Sequence, residues 1–240
     1  MDKSLLWLGL PAVVMMSGGA LAAVWRPGST LISLVQHIAA GVILAAVTIE
    51  VFPEMRSGAA APPTLIASFC VGVVFMYVVK IFGERLESRA GPESATRTLN
   101  YGFLVAVFLD AALDGVTIGA GFAAGTKVGS ALALGLSIEM LFLSMSLISD
   151  SLNGWKLFWL TAALSVILFG MALIGYFALA ALPPAAVSIA LAFCSAALLY
   201  LVTEELLIEA HAHAHSQPEH PYSMLVLYAA FAGFWALSYL

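Results

Sequence analysis

The sequence predicts an all-α membrane protein: eight transmembrane helices in one bundle containing an inverted repeat. Three observations predict this. The chain is 62% hydrophobic and only 10% charged, its apolar runs are each long enough to cross a bilayer, and acidic residues sit inside those runs. A mean hydropathy of +1.02 lies far above that of a soluble domain, so residues 1–240 read as a single polytopic domain. The net charge of −5 comes without a basic tract. Nucleic acid is therefore excluded as a partner, and the lipid bilayer takes its place.

The first span is expected at 4–24. Its charged flank is weak, because Asp2 cancels Lys3, so it reads as an uncleaved helix rather than a signal peptide. Arg26-Pro27-Gly28 separates it from the second span, 29–52, where His37 reads as structural and Pro53 is expected to kink or end the helix. The third span, 63–82, follows the polar stretch from Ser57 to Pro63 and leads into the longest connection, Gly83 to Asn100. The fourth and fifth, 101–124 and 128–149, are parted by Gly125 to Lys127. Asn153-Gly154 precedes the sixth, 156–181, and Pro183-Pro184 opens the seventh, 184–209. The eighth, 222–239, follows a histidine-rich stretch. Cys70 and Cys194 fall in separate apolar segments without CxxC spacing and read as ordinary helix residues.

Eight spans put both termini on one side. With the termini outside, inner segments hold Arg26, Lys80, Arg85, Arg89, Arg97 and Lys156, and outer segments hold Lys3, Arg56 and Lys127. Enrichment of Lys and Arg in cytoplasmic loops favours that orientation. Short loops and compact size point to a bacterial inner membrane. The second and seventh spans also match without gaps: VTIEVFPEM (47–55) against VTEELLIEA (202–210) aligns Glu50 with Glu205 and Glu54 with Glu209. These spans run in opposite directions, and inverted repeats mark secondary transporters whose substrate site lies near the midplane.

Asp110 and Asp114 are four residues apart and share one helix face. A carboxylate at membrane depth costs roughly 2.5–3.5 kcal/mol and usually marks an ion or proton path. Glu139 appears in the next apolar run, and neither run contains Lys or Arg. Three acids that repel one another call for a cation or a proton between them. The competing reading is protonated carboxyls that hydrogen-bond between helices. Met140 and Ser137 are close in sequence. Glu50 with Glu54, and Glu205 with Glu209, lie near helix C-termini, where the dipole disfavours negative charge; they suit an entrance and an exit for a cation. His211, His213, His215 and His220, with Glu209 and Glu219, form a metal-capable loop whose spacing is not a structural zinc motif. Such a loop can raise local metal concentration without completing a buried coordination shell.

Several of these segments resemble the ZIP (Zrt-, Irt-like) family of divalent metal transporters. The second span, His37-Ile38-Ala39-Ala40-Gly41-Val42-Ile43-Leu44 to Glu50-Val51-Phe52-Pro53-Glu54, is similar to the family's "aaGvfL…H-l-l-P-E" helix. Asp110-Ala111-Ala112-Leu113-Asp114-Gly115-Val116-Thr117-Ile118-Gly119 resembles "H-N-x-x-[DE]-G-l-a-i-G", and Ala196 to Glu209 resembles "a-G-a-l-l-y-v-v-x-[ED]-E-l-x-P-E". The resemblance implies that Asp114 is the family's acidic ligand, that Asp110 stands where the family has His, and that Ala111 stands where it has Asn. Glu139 falls on the first position of "H-E-x-P-[EH]"; Met140 replaces the acid, Phe142 the proline and Leu143 the second ligand. One metal site is therefore expected where the family often holds two.

The resemblance implies a transporter that moves a divalent cation (Zn2+, Fe2+ or Mn2+) toward the cytoplasm, with the metal as substrate and no enzymatic chemistry. Asp110, Asp114, Glu139 and Met140 would form the midplane site. Glu50 and Glu54 would receive the metal, and Glu205, Glu209, His211, His213 and His215 would take it away. A homodimer is compatible with this reading. Two other functions remain open: a protein of the same fold that binds or senses metal without moving it, and an intramembrane aspartyl protease. The second is disfavoured because both Asp residues sit on one helix.

Overall fold

The computed structural model describes residues 3–25, 28–58, 60–89, 101–147, 154–208 and 223–239. Among them there is no strand. The helices are α1 (Lys3–Val24), α2 (Ser29–Ala46), α3 (Phe52–Ser57), α4 (Pro62–Arg89), α5 (Tyr101–Ala124), α6 (Thr126–Ser146), α7 (Gly154–Ala180), α8 (Pro184–Leu201) and α9 (Ser223–Leu237). Two π-helical segments are inserted: π1 (Val47–Val51) joins α2 to α3, and π2 (Val202–Leu206) follows α8.

Among the described residues, seven helices are long and apolar enough to cross a membrane: Leu5–Val24, Thr30–Ser57, Pro62–Gly83, Leu104–Ala124, Thr126–Ser146, Gly154–Ala180 and Pro184–Leu206. The chain is an integral membrane protein. Its outer faces carry exposed apolar side chains such as Val71, Val74, Val166, Ile174 and Phe177, as lipid contact requires. Trp155, Phe158 and Trp159 cluster at the start of α7 with ring centroids 5.5 to 6.4 Å apart. Aromatic belts of this kind sit at the membrane–water interface. The eighth apolar helix spans only Met224–Leu237, shorter than the expected 222–239.

Two other expectations need adjusting. Helix α4 overruns its expected end at 82 and reaches Arg89, because Glu84, Arg85, Leu86 and Glu87 are strong helix formers beyond the apolar run. Pro53 does not end the second span, which continues through α3 to Ser57. Proline lacks a donor and crowds the carbonyl one turn back. Here π1 widens the turn immediately before it: the Phe52 N–H donates to the Val47 carbonyl, five residues back. The same bond recurs in π2, from the Leu207 N–H to the Val202 carbonyl. Thr48 Oγ1 donates to the Leu44 carbonyl at 2.7 Å and Thr203 Oγ1 to the Leu199 carbonyl at 2.8 Å, so the side-chain bonding matches as well. The end of α3 packs on the start of α8, with Gly58 against Pro184 and Ser188. The two helices are thus antiparallel, and π1 and π2 lie toward opposite ends of the bundle.

By packing, the helices form one set of four and two pairs, and the pairs touch where α3 lies on α8 and α2 on π2 to make a second group. α1, α5, α6 and α7 pack most extensively on one another, while α2 pairs with α9 and α4 with α8. The groups meet chiefly where α2 crosses α6 and where α5 lies against α4 and α8. The α5–α7 contact is close because of glycine. A Cβ on Gly115 would lie 2.8 Å from the Met171 Cβ, and one on Gly119 would lie 2.5 Å from the Tyr176 backbone nitrogen. Small residues permit such approach where no water drives helices together. Gly119→Ala should therefore lower stability by about 1–3 kcal/mol, as overpacking does. Gly170→Ala on α7, whose Cβ meets nothing within 4 Å, should be tolerated. Thermal unfolding of both variants in detergent checks this; equal midpoints would contradict the packing account.

Candidate metal-binding site

Helices α5 and α6 are joined by Gly125 alone, so residues equally distant from that turn lie at equal depth. Glu139 is about as far past Gly125 as Asp110 and Asp114 are before it. The three acids therefore meet in mid-bundle, on helices that pack side by side. One ligand oxygen from each lies within 4.8 Å of the others. Asp114 is 3% exposed and Glu139 is 4% exposed, whereas Asp110 is half-buried.

The donor set fits a small divalent ion. Asp114 Oδ2 and Glu139 Oε2 are buried and have no hydrogen-bond partner, although buried polar atoms are nearly always satisfied. Oxygens bind such an ion at about 2.0–2.2 Å, so three around one ion stand roughly 3.0–3.8 Å apart where they are not directly opposite. A trio within 4.8 Å of one another reaches that spacing by modest side-chain rotation. Glu205 acts electrostatically on all three carboxylates and adds to their mutual repulsion.

The site opens toward one end of the bundle. A cavity of about 480 Å³ is lined by Asp110 and Glu139 at its depth, by Lys80, Glu204 and Glu205, and by Met76, Phe142 and Leu143. Lys80 Nζ donates to Glu204 Oε2 at 2.6 Å on its wall. It extends to Gly83, where the apolar part of α4 ends, and to Ile208 just beyond π2. At the opposite end lies a smaller cavity of about 130 Å³, lined by Glu54, Gly58, Ala124, Pro184 and Ser188. None of the three site acids borders it.

The other residues read as candidates fall as follows. Glu54 lines the smaller cavity and is half-buried. Glu50 is buried in π1 and ion-paired with Lys127 Nζ at 3.3 Å. Glu205 lines the larger cavity. Met140 is fully buried in the apolar core and does not border the cavity. Ser137 donates to the Ala133 carbonyl one turn back. His37 is buried, with Nδ1 2.7 Å from the Ser33 carbonyl oxygen, which agrees with a structural role. Glu209, His211, His213, His215, Glu219 and His220 lie outside the described residues.

Sequence reasoning missed three features. Lys127 supplies the cation for Glu50, one of the acids expected to attract one from outside, and Lys80 supplies it for Glu204, the neighbour of Glu205. Cys194, read as an ordinary helix residue, is buried within electrostatic reach of Asp114 and shares a hydrogen bond with Thr117. Only the two lysines carried a signal: each is a lone charge at the edge of an apolar run.

In comparisons with known proteins, no family model matches the sequence and no curated protein matches it significantly.

Proposed function

We propose that the protein is a ZIP-like transporter that carries a divalent metal ion toward the cytoplasm, with the metal as its substrate. The observation that carries the reading is the trio Asp110, Asp114 and Glu139, whose oxygens lie within 4.8 Å of one another and include two buried atoms without a partner. A purely structural cluster of carboxyls would satisfy those atoms with donors from the chain. The large cavity that reaches the trio from one end supports a path to it, and the near-closure of the other end fits one state of an alternating-access cycle.

On this reading α9 completes eight spans, both termini face outward, and the large cavity opens to the cytoplasm beside Lys80 and Arg85. The matched π segments and their threonine bonds support an inverted repeat relating the second and seventh spans. The two packing groups supply the bodies that move: α1, α5, α6 and α7 carry the site acids, and α2, α4, α8 and α9 form the frame. Glu54 receives the ion, and Glu205 stands on its way out. Three hard oxygen donors suit Mn2+ and tolerate Fe2+ or Zn2+.

Reconstitution of the purified chain in liposomes, with a metal-sensing dye inside, tests the proposal. Saturable accumulation of Mn2+ or Zn2+ is expected. Tight binding without accumulation would instead indicate a metal-binding or sensing protein of the same architecture. Carboxylates must be deprotonated to hold metal, so protons compete with it. Apparent affinity should fall as pH is lowered, by up to roughly tenfold per pH unit for each proton displaced. Initial uptake rates across a pH series measure this; a pH-independent half-saturation would remove the carboxylates from the site.

A further inference from the structure

We infer that Lys127 is a tethered cation that latches the outer end of the bundle shut through Glu50, and that an arriving divalent ion opens this end by displacing it. The inference rests on the transport reading above and adds a regulatory element to it.

Each partner is badly placed on its own helix. Lys127 lies in the first turn of α6, where the helix dipole disfavours positive charge. Glu50 is buried in π1, about two turns before its span ends at Ser57, where a charge without a partner is costly. Lys127 Nζ stands 3.3 Å from Glu50 Oε1. The pair gives each charge a partner on the other helix. Local rules broken in this way point to a constraint beyond stability.

The pair also joins the two packing groups. Lys127 travels with α6 and the site acids, whereas Glu50 belongs to the α2 side. At this end the smaller cavity lies between the groups, with Glu54 and Ser188 on one wall and Ala124 and Leu179 on the other. Opening this end means separating the groups, which breaks the ion pair. Glu50 is 9% exposed in its side chain and Lys127 is 71% exposed. The lysine can therefore swing into water at little cost, but a buried carboxylate cannot be left without a cation. A divalent ion meets that need with twice the charge. Arrival of substrate and release of the latch thus become one event, and the lysine sets the metal concentration at which the outer end opens.

The test uses the full chain in nanodiscs, where both faces are accessible, with Cys70→Ser and Cys194→Ser to remove native thiols. Ser188→Cys is the reporter, because Ser188 is 3% exposed and lines the small cavity facing Ala124 and Leu179 of the other group. Its labelling by a charged maleimide measures opening of this end. Lys127→Gln should raise the labelling rate roughly two- to fivefold, the population shift expected from losing one part-exposed ion pair. Lys127→Arg should not. Glu50→Gln should act like Lys127→Gln, and the two together should not add. Mn2+ should raise labelling when Lys127 is present and have little effect in Lys127→Gln. In liposomes, Lys127→Gln should lower the half-saturating Mn2+ concentration. Labelling unchanged by both Lys127→Gln and Glu50→Gln overturns the latch. Absence of uptake by the unmodified chain would overturn the transport reading instead, while the labelling comparison still decides the latch.

Discussion

Asp114→Asn and Glu139→Gln should each reduce metal uptake by at least about 100-fold while leaving the protein folded. Loss of residues that merely orient metal ligands already costs about 10–100-fold, and these two residues supply ligand oxygens themselves. The substitutions are nearly isosteric. They keep a carbonyl oxygen in place but remove the charge and turn one donor atom into an amide. A second readout separates a binding role from a structural one. Asp114 Oδ2 and Glu139 Oε2 are buried without a hydrogen-bond partner, and an unpaired buried charge costs stability. In metal-free detergent solution the variants should therefore unfold at the same temperature as the unmodified chain or higher. Added Mn2+, which stabilises whatever state it binds, should raise the unfolding temperature of the unmodified chain only. A variant that loses stability and keeps its metal response would show that the acids are structural hydrogen-bonding groups.

The trio was legible in the sequence because two periodicities converge on it. The spacing of Asp110 and Asp114 puts them on one helix face, and a connection as short as Gly125 forces α5 and α6 to lie antiparallel and adjacent. Depth then follows from counting outward from the turn. The seven long spans were legible for the same reason: length and hydropathy are local properties. What was hidden is non-local or lacks a compositional mark. Nothing in VTIEV or VTEEL signals a π-turn, since their residues are compatible with an α-helix; Pro53 follows π1 closely, but Ile208 stands at the matching place after π2. The partners of Glu50 and Glu204 lie 77 and 124 residues away in sequence, and no periodicity reports such a pairing. Cys194 looks like any small apolar helix residue until α8 is laid against α5. For Met140 the sequence points two ways. It neighbours Glu139, but one residue turns a helix by about 100°, so it is carried off the cavity face into the core.

Asp110→His should shift the transported metal toward Zn2+ and away from Mn2+, changing the ratio of their half-saturating concentrations by roughly tenfold or more. Three features of the position support this. Asp110 is the only member of the trio that is part-exposed, and it lines the 480 Å³ cavity, so a larger ring finds room there that Asp114 could not offer. The exchange removes one negative charge from a cluster that also feels Glu205, which weakens the electrostatic hold on a hard ion bound mainly by charge. It also supplies an imidazole nitrogen, a softer donor that favours Zn2+ over Mn2+. Both effects act in the same direction on the ratio, although they oppose each other in the absolute affinity for Zn2+. The ratio is therefore the quantity to measure, by competition of the two ions for uptake at a pH where the imidazole is neutral. Asp110→Asn removes the charge without supplying the nitrogen and should lower affinity for both ions with a smaller change in the ratio. An Asp110→His ratio that is unchanged, or reversed in favour of Mn2+, would mean that Asp110 does not touch the ion and that the coordinating set has to be sought deeper, around Asp114 and Glu139.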